Sequence, residues 1–495
     1  MYICNRYSNF YLKNSDLQCK NYMNNQYAVP SKILNLLLSF FFKDKILTVF
    51  LFFAFSISTF AQETNKSLEE ATKAVVNDVN NLDSTIIKQT DTIKKPFKNI
   101  KIAQKDSVKI LVESPDNLII KDTTNAEISP LDITDNRGIY IMADDGNLQF
   151  RILGSIRYSA LFDNKLLSDK SRFSTFEIPT GDNDFQVLNY YNSLEFTRIG
   201  FEVTRRTSIG NIFIRLETDF AGPSGIYRIR HAYAQIEKFL VGKTWSLFSN
   251  VRAQGMSVNR NGPPGTISLR TAQMRYSLNI PYKNLKGDIA LEYSLPEVNS
   301  NDSLSVNYIN VQTVPNLSAR ITSKEKFGYL QVSGIAAPVS GIDSIGNKST
   351  FMGFGLSVSG YWKKSENSRI LFQGTYSRAV SHFINTFRNN QQDLIYNPDT
   401  EDFEAVSSWS GNLSYEYSWN DKLISNVSFG IADIVNKDYQ PPEAFNYSYS
   451  LGINTFYTIV LGARVGVEYM YGKRFNKDLS TGNASRIWML LYYDF

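Results

Sequence analysis

Arginine side chains recur at alternate positions along several short segments of this chain. In the segment IFIRLETDF, an extended strand would place Arg215, Glu217 and Asp219 on one side and the apolar residues on the other. A guanidinium group donates several hydrogen bonds in one plane and therefore binds a carboxylate through two of them at once. Such a row predicts either the binding of small anions or ion pairing with neighbouring acids.

The same alternation places further arginines on the polar faces of other segments. These positions are Arg151, Arg157, Arg198, Arg228, Arg230 and Arg275. Residues 148–280 contain 13 Arg and 4 Lys against 10 Asp and Glu, whereas residues 281–495 contain 7 Arg. A wall with this excess of positive charge raises the local concentration of anions.

Two further basic side chains in this region do not lie on the polar face of their segments. His231 shares the apolar face with Ile229 and Tyr233, which predicts an outward position at an interface. Arg270 has the opposite parity to Arg275 and could be placed inside only with a bulge.

One long connector, NVRAQGMSVNRNGPPG, carries Arg252 and Arg260 and no acid. Connections of this length between strands are uncommon and are usually functional or disordered. We expect this connector to fold into the lumen of a pore and to act there as a constriction loop. The alternative is a solvated extracellular loop.

From about residue 148 to the end, hydrophobic residues recur with the period of two that is typical of β-strands. In WSGNLSYEYSW, aromatic residues lie at both ends of the apolar face, as in a strand that crosses two membrane interfaces. Sixteen such segments begin near residues 148, 194, 210, 226, 239, 267, 286, 314, 328, 351, 369, 407, 423, 444, 460 and 484. Short turns alternate with longer loops between them. The pattern predicts a 16-stranded antiparallel transmembrane β-barrel with both termini in the periplasm.

Composition agrees with a barrel in lipid. Mean hydropathy is −0.25, too low for a bundle of apolar helices, yet aromatic residues reach 14%. Only alternate residues of a barrel strand face the bilayer, and aromatic girdles mark its two interfaces. A net charge of +5 does not indicate nucleic acid binding.

The N-terminal part differs from the barrel region. Lys43 and Lys45 precede the apolar run ILTVFLFFAFSIS, which is typical of a cleaved signal peptide and too short for a spanning helix. We therefore expect residues 1–61 to be an extension with a signal peptide, 62–137 to be periplasmic, and 138–495 to be the barrel. Apolar residues seven apart between Leu68 and Ile86 predict a short coiled coil, a single helix or a linker.

A family resemblance is carried by three segments. The stretch IGNIFIRLETDFAGPSGIYRIRHAYAQIEKFLVGKTWSLFSN, the following NGPPGTISLRTAQMRYSL, and the end LGARVGVEYMYGKRFNKDLSTGNASRIWMLLYYDF resemble the DcaP-like family of outer-membrane porins. The resemblance covers about 148–495 and is strongest over 196–278 and 460–495. It implies a sixteen-stranded homotrimer that passes small anions such as dicarboxylates.

Catalytic, cofactor and metal sites find no support in the sequence. The chain has only two histidines, and both cysteines, Cys4 and Cys19, precede the expected cleavage site. No metal-protease, P-loop or dinucleotide motif is present. The sequence therefore predicts a non-enzymatic anion porin in contact with outer-membrane lipid. A barrel with a structural or assembly role is the alternative, and a barrel hydrolase is a third.

Overall fold

The computed structural model describes residues 109–111, 137–181, 186–278, 280–282, 284–299, 309–342 and 348–495. The strands in these ranges are β1 Lys109–Leu111, β2 Ile139–Ala143, β3 Leu148–Asp163, β4 Asn189–Ser193, β5 Arg198–Thr207, β6 Gly210–Asp219, β7 Arg228–Ile236, β8 Phe239–Trp245, β9 Arg270–Leu278, β10 Leu285–Tyr293, β11 Val298–Asn299, β12 Ile309–Val311, β13 Asn316–Glu325, β14 Gly328–Ile342, β15 Lys348–Lys363, β16 Ser368–Arg378, β17 Leu394–Asn397, β18 Asp402–Ala405, β19 Ser407–Ser418, β20 Leu423–Ile434, β21 Phe445–Val460, β22 Ala463–Asn476 and β23 Thr481–Asp494. Short 3₁₀ turns lie at Asp144–Gly146, Pro223–Gly225, Val251–Ala253 and Ser381–Phe383. No helix in the described ranges is both long and apolar enough to cross a bilayer.

Sixteen strands form a closed antiparallel barrel, as the sequence predicts. They are β3, β5–β10, β13–β16 and β19–β23. The first and last of them meet, because β3 pairs with β5 on one edge and with β23 on the other. Closure matters in lipid, where an open sheet edge would leave backbone groups without hydrogen-bond partners.

The predicted segments coincide with these strands. Each predicted start lies within four residues of an observed one. Short turns of two to six residues alternate with the connectors L1 (164–197), L2 (220–227), L3 (246–269), L4 (294–315), L5 (343–347), L6 (379–406), L7 (435–444) and L8 (477–480). The strand ends that these connectors join all lie at one end of the barrel, which is the end predicted to be extracellular.

The outer face of the wall is apolar and aromatic. On β23, Ile487, Met489, Leu491 and Tyr493 are exposed, while the residues between them are buried on the inside. Phe495 closes this outward series, and its backbone exchanges two hydrogen bonds of 2.9 Å with Gly154 on β3. Alternation along the strand thus separates a lipid face from an interior face.

Two short strands extend the wall at the short-turn end. β2 pairs with the beginning of β3, from Ile139 opposite Ile152 to Ala143 opposite Leu148, and β1 pairs with β2. The expected signal peptide and the heptad pattern of 68–86 lie outside the described residues.

The interior at the long-loop end is packed with connectors. One apolar cluster joins L3 and L6 to the inner faces of β14 and β20, and it includes Phe248, Ile267, Ile335, Val380, Phe383, Ile384, Phe387 and Ile434. A second cluster joins L1 and L3 to the inner faces of β22 and β23, and it includes Leu167, Phe173, Ile178, Phe196, Met256, Val258, Met470 and Trp488. The loops therefore narrow the space enclosed by the wall.

Candidate functional site in the barrel interior

A chain of ion pairs runs along the inner face of β3, β5 and β6. Arg151 lies 3.0 Å from one oxygen of the Glu202 carboxylate, and Arg215 lies 3.1 Å from the other. Arg215 also contacts Glu217, which lies 3.6 Å from Arg198. Four of the predicted interior residues therefore come together, and each arginine has an acidic neighbour.

The chain of ion pairs continues onto β7. Arg228 donates to both oxygens of Asp219 at 2.9 and 2.8 Å. Arg230 bridges the two acids, with 2.8 Å to Glu217 and 2.9 Å to Asp219. Both acids are fully buried, whereas the side chain of Arg228 is 44% exposed. Among these ion-paired residues, Arg228 thus presents the most guanidinium surface to solvent.

The prediction that His231 faces outward with Ile229 and Tyr233 is wrong. The register pairs Thr218 with Ile229 but Glu217 with His231, so Arg230 is an extra residue in a β-bulge. Beyond the bulge the parity reverses. His231 and Tyr233 are buried on the side of the interior acids, while Ile229 remains exposed.

His231 also fixes the position of Arg270. The ring nitrogens of His231 lie 3.1 Å from Thr244 Oγ1 and 3.3 Å from Arg270 Nε. The Arg270 guanidinium stacks 3.5 Å from the centroid of the Trp245 ring. Arg270 is therefore held where β8 ends and β9 begins, and no bulge in β9 is needed to place it.

Two further predicted residues, Arg157 and Arg275, are buried and contact other residues of the barrel wall. Arg157 donates to Ser155 at 2.7 Å and lies 3.5 Å from Asp494. Arg275 donates to the carbonyl of Trp245 at 2.6 Å, at the point where β8 ends and L3 begins. Neither side chain offers appreciable surface to the interior.

L3 crosses the interior. It connects β8 with β9, which are neighbours, yet its middle contacts strands on the far side of the barrel. Asn250 donates to Ser359 on β15 at 2.8 Å, and the carbonyl of Met256 accepts from Asn454 on β21 at 2.8 Å. L3 therefore lies in the space that the barrel wall encloses.

Three buried carboxylates of the wall hold the backbone of L3. Glu292 on β10 accepts from the amide of Leu247 at 2.8 Å, and Glu416 on β19 accepts from the amide of Met256 at 2.9 Å. Glu468 on β22 accepts from the amides of Val258 and Asn259 and from the Ser257 hydroxyl. These hydrogen bonds satisfy acids that would otherwise present negative charge to a solute.

The loop arginines have different surroundings. Arg252 lies 5.7 Å from the Tyr329 ring centroid, Arg260 stacks 3.0 Å from that of Phe196, and Arg388 of L6 donates to two backbone carbonyls. Within the described part of the chain, none of the three has a carboxylate within ion-pair distance. They are therefore interior guanidinium groups that the wall does not neutralise.

Burial makes the charges of Arg260 and Arg388 unfavourable. Burial and the neighbouring Arg230 and Arg198 lower the pKa of Arg260 well below its ordinary value. Burial, together with Arg172, lowers the pKa of Arg388 to about 10. A bound anion would offset both effects, because an opposite charge favours the protonated guanidinium.

Sequence reasoning placed Arg252 and Arg260 on the correct connector but missed Arg388. The count of arginines drew attention to residues 148–280, and Arg388 lies far beyond them in L6. The length of L6 was the available signal. No local pattern in L6 says that it folds inward.

The comparisons with known proteins agree with this architecture. A family model described as "DcaP outer membrane protein" matches residues 84–495. The crystal structure of the outer membrane channel DcaP of Acinetobacter baumannii is similar, with a TM-score of 0.62 and 19% identity over 71% of this chain and 99% of that chain. The similarity to an anion-selective porin from Comamonas acidovorans has a TM-score of 0.45 and 7% identity, over 70% of this chain and 100% of that chain. No curated protein sequence matches the chain.

The likeness to the solved channel establishes the fold, and the family model covers most of the chain. The predicted resemblance and the predicted location in the outer membrane are thereby confirmed. The long-loop end is the extracellular end, and the short turns are periplasmic. This chain belongs to the DcaP outer membrane protein family, a family of outer-membrane β-barrel channels.

Proposed function

We propose that the protein is a passive channel for small anionic solutes, in particular carboxylates and dicarboxylates. The observation that carries the proposal is the absence, within the described residues, of an ion-pair partner for Arg252, Arg260 and Arg388. Five interior acids are, in contrast, occupied by wall arginines or by backbone amides, namely Glu217, Asp219, Glu292, Glu416 and Glu468. The charge left for a solute is therefore positive.

The arrangement favours carboxylates over other small solutes. A guanidinium group binds a carboxylate through two parallel hydrogen bonds. Arg228, with its exposed side chain, is close enough to act electrostatically on both Arg260 and Arg388. Neighbouring guanidinium groups can hold the two ends of a dicarboxylate in turn. Binding must stay weak, since a tightly bound solute would not leave the channel.

Reversal potentials in planar bilayers under a salt gradient test the charge selectivity. We expect the wild type to prefer anions, and the double variant Arg260→Ala/Arg388→Ala to lose most of that preference. Arg378→Ala is the matched control, because Arg378 is exposed and pairs with the outward Phe354. Cation preference in the wild type would overturn the proposal, as would equal selectivity in the double variant and the control.

Current block tests the solute class separately. Succinate, added as a probe dicarboxylate, should reduce the chloride current of the wild type at lower concentrations than acetate does. The double variant should show no such difference. A channel that is anion-selective but blocked equally by both probes would refute the dicarboxylate preference alone.

We also propose that the protein is a homotrimer in the outer membrane. β8 has only seven residues, which span roughly 23 Å along the strand. Because barrel strands are tilted, this part of the wall is lower than the apolar band of about 25 Å that outer-membrane barrels present to lipid. A low wall is suited to contact a neighbouring subunit. Native mass spectrometry in detergent should detect a trimer, and a monomer would refute the proposal.

The predicted periplasmic segment 62–137 is proposed to assist assembly of the trimer. Deleting it should lower the stability of the trimer towards heat while leaving the barrel folded. If the truncated and full-length trimers dissociate at the same temperature, the segment has no such role.

A further inference from the structure

Side chains from two extracellular loops form a linear hydrogen-bonded arrangement at the rim of the barrel. Ser294, at the start of L4, places its Oγ 3.0 Å from Nε2 of His382 in L6. Nδ1 of the same ring lies 2.6 Å from Oδ2 of Asp393. Ser294 is partly exposed, whereas His382 and Asp393 are buried. Ser294 is remote in sequence from the other two residues and meets them only because L4 packs against L6.

The neighbouring amides indicate the direction of each hydrogen bond. Gln312 donates to Oδ1 of Asn316 at 2.9 Å, so the other end of the Asn316 amide is its NH₂ group. That group donates to Ser294 Oγ at 2.8 Å. The hydroxyl proton of Ser294 is then directed to His382 Nε2, which accepts it.

Asp393 completes the orientation of the imidazole. Its carboxylate also accepts from the Ser381 hydroxyl at 2.8 Å, from the His382 amide at 3.1 Å and from the Glu297 amide at 2.7 Å. Burial alone would raise the pKa of Asp393, but His382 and these donors outweigh it and hold the pKa below its ordinary value. An ionised Asp393 requires the proton on Nδ1 of His382, which leaves Nε2 as the base.

We propose that Ser294, His382 and Asp393 form a serine hydrolase site for short carboxylic esters at the mouth of the channel. The arrangement has a nucleophile, a general base and a buried carboxylate that orients the base, at the separations such sites require. The partial exposure of Ser294 among loops suits a short ester and not a polypeptide. This activity is independent of the proposed anion transport.

Two donors are available for the oxyanion. One is the NH₂ group of Asn316, already 2.8 Å from the nucleophilic oxygen. The other is the amide of Leu295, the residue after the nucleophile, which makes no hydrogen bond within the described ranges. Donors next to the nucleophile stabilise the negative charge that develops in acyl transfer.

The reaction needs water as its only co-reactant. Ser294 Oγ attacks the ester carbonyl carbon and its proton passes to His382 Nε2. The C–O bond to the alcohol then breaks, and the departing oxygen takes that proton from His382. A water molecule next attacks the acyl group while His382 accepts its proton. The Ser294 Oγ–acyl bond breaks, the acid leaves, and the proton returns to Ser294.

The test uses the full-length protein in detergent, with a fluorophosphonate probe and 4-nitrophenyl acetate. We expect the probe to modify Ser294, identified by peptide mass spectrometry, and Ser294→Ala to abolish this labelling. Hydrolysis should fall at least about tenfold in Ser294→Ala, since removal of a triad nucleophile leaves little catalysis. Ser480→Ala is the control, which should keep both labelling and hydrolysis: it removes a hydroxyl of L8 that contacts Asp478 and none of the three proposed residues.

Retained heat-modifiable migration on gels and unchanged conductance show that Ser294→Ala is folded. The proposal fails if the wild type is not labelled at Ser294, or if folded wild type and Ser294→Ala hydrolyse the ester equally. Either outcome would mean that the arrangement only fastens L4 to L6. Charge selectivity in bilayers is measured without any ester, so failure here leaves the proposed transport function untouched.

Discussion

Glu468→Gln addresses the way in which L3 is held across the channel. Glu468 is a buried residue of β22, on the opposite side of the barrel from the strands that L3 connects. Its carboxylate accepts from Ser257, Val258 and Asn259. Glutamine has nearly the same shape, but it lacks the charge and replaces one acceptor oxygen with an NH₂ group. Because both backbone amides donate to Oε2 of Glu468, that group would take the place of Oε1, beside the Ser257 hydroxyl.

The expected cost follows from the hydrogen bonds lost. A hydrogen bond to a charged group contributes about 1.5–3 kcal/mol, and a neutral one contributes about 1 kcal/mol. Because the remaining oxygen still accepts, we expect the docking of L3 to weaken by about 2–4 kcal/mol. The anchors at Glu292 and Glu416 remain. The loop should therefore leave its position more often without being released entirely.

Single-channel recordings in planar bilayers measure this effect. The variant should show larger open-channel noise and more frequent steps to higher conductance than the wild type. Glu366→Gln is the matched control, since Glu366 is exposed in a periplasmic turn. Identical noise and conductance in Glu468→Gln, Glu366→Gln and the wild type would refute the view that wall carboxylates hold L3.

Three other changes have sharply different expected outcomes. Arg230→Gln leaves Glu217 and Asp219 short of a buried partner and should destabilise the barrel by about 3–5 kcal/mol; its heat-modifiability temperature should fall, whereas that of Arg260→Gln should not. In Gly154→Ala the new methyl group would overlap the ring of Phe495 and displace it, while in Gly374→Ala it would meet no atom within 4 Å. The refolding yield should fall in the first variant only. Replacing residues 250–265 with a short Gly–Ser linker should raise the conductance and reduce selectivity, and an unchanged conductance would show that L3 does not limit the current.

The barrel could be predicted because its information is local. A strand that faces lipid on one side and the interior on the other must alternate apolar and polar residues. Each strand can therefore be identified from its own sequence. The same rule failed at His231, where the bulge at Arg230 reverses the parity of the rest of β7. The sequence of that strand carries no glycine or proline that would have marked the irregularity.

The contents of the interior could not be predicted, because they depend on contacts between distant segments. The length and arginines of L3 indicated an unusual loop, but its anchors are glutamates on β10, β19 and β22. In the same way, Ser294 and His382 lie 88 positions apart in sequence. Spacing rules identify such groups only when the residues share one strand, helix or turn.

The number of arginines in residues 148–280 does not by itself measure the positive charge available to a solute, because many of them form ion pairs. Five wall arginines form ion pairs with Glu202, Glu217 and Asp219, so they stabilise the wall more than they serve a solute. These are Arg151, Arg198, Arg215, Arg228 and Arg230. Within the part of the chain that the structure describes, the guanidinium groups without an ion pair include those of Arg252 and Arg260 on L3 and Arg388 on L6, besides that of Arg474 on β22. Loops tolerate substitution better than a barrel wall with buried charges. Substitutions at Arg260 and Arg388 should therefore change the charge selectivity while the barrel still folds. Substitutions at Arg230 should instead prevent the barrel from folding, so that their effect on transport cannot be seen.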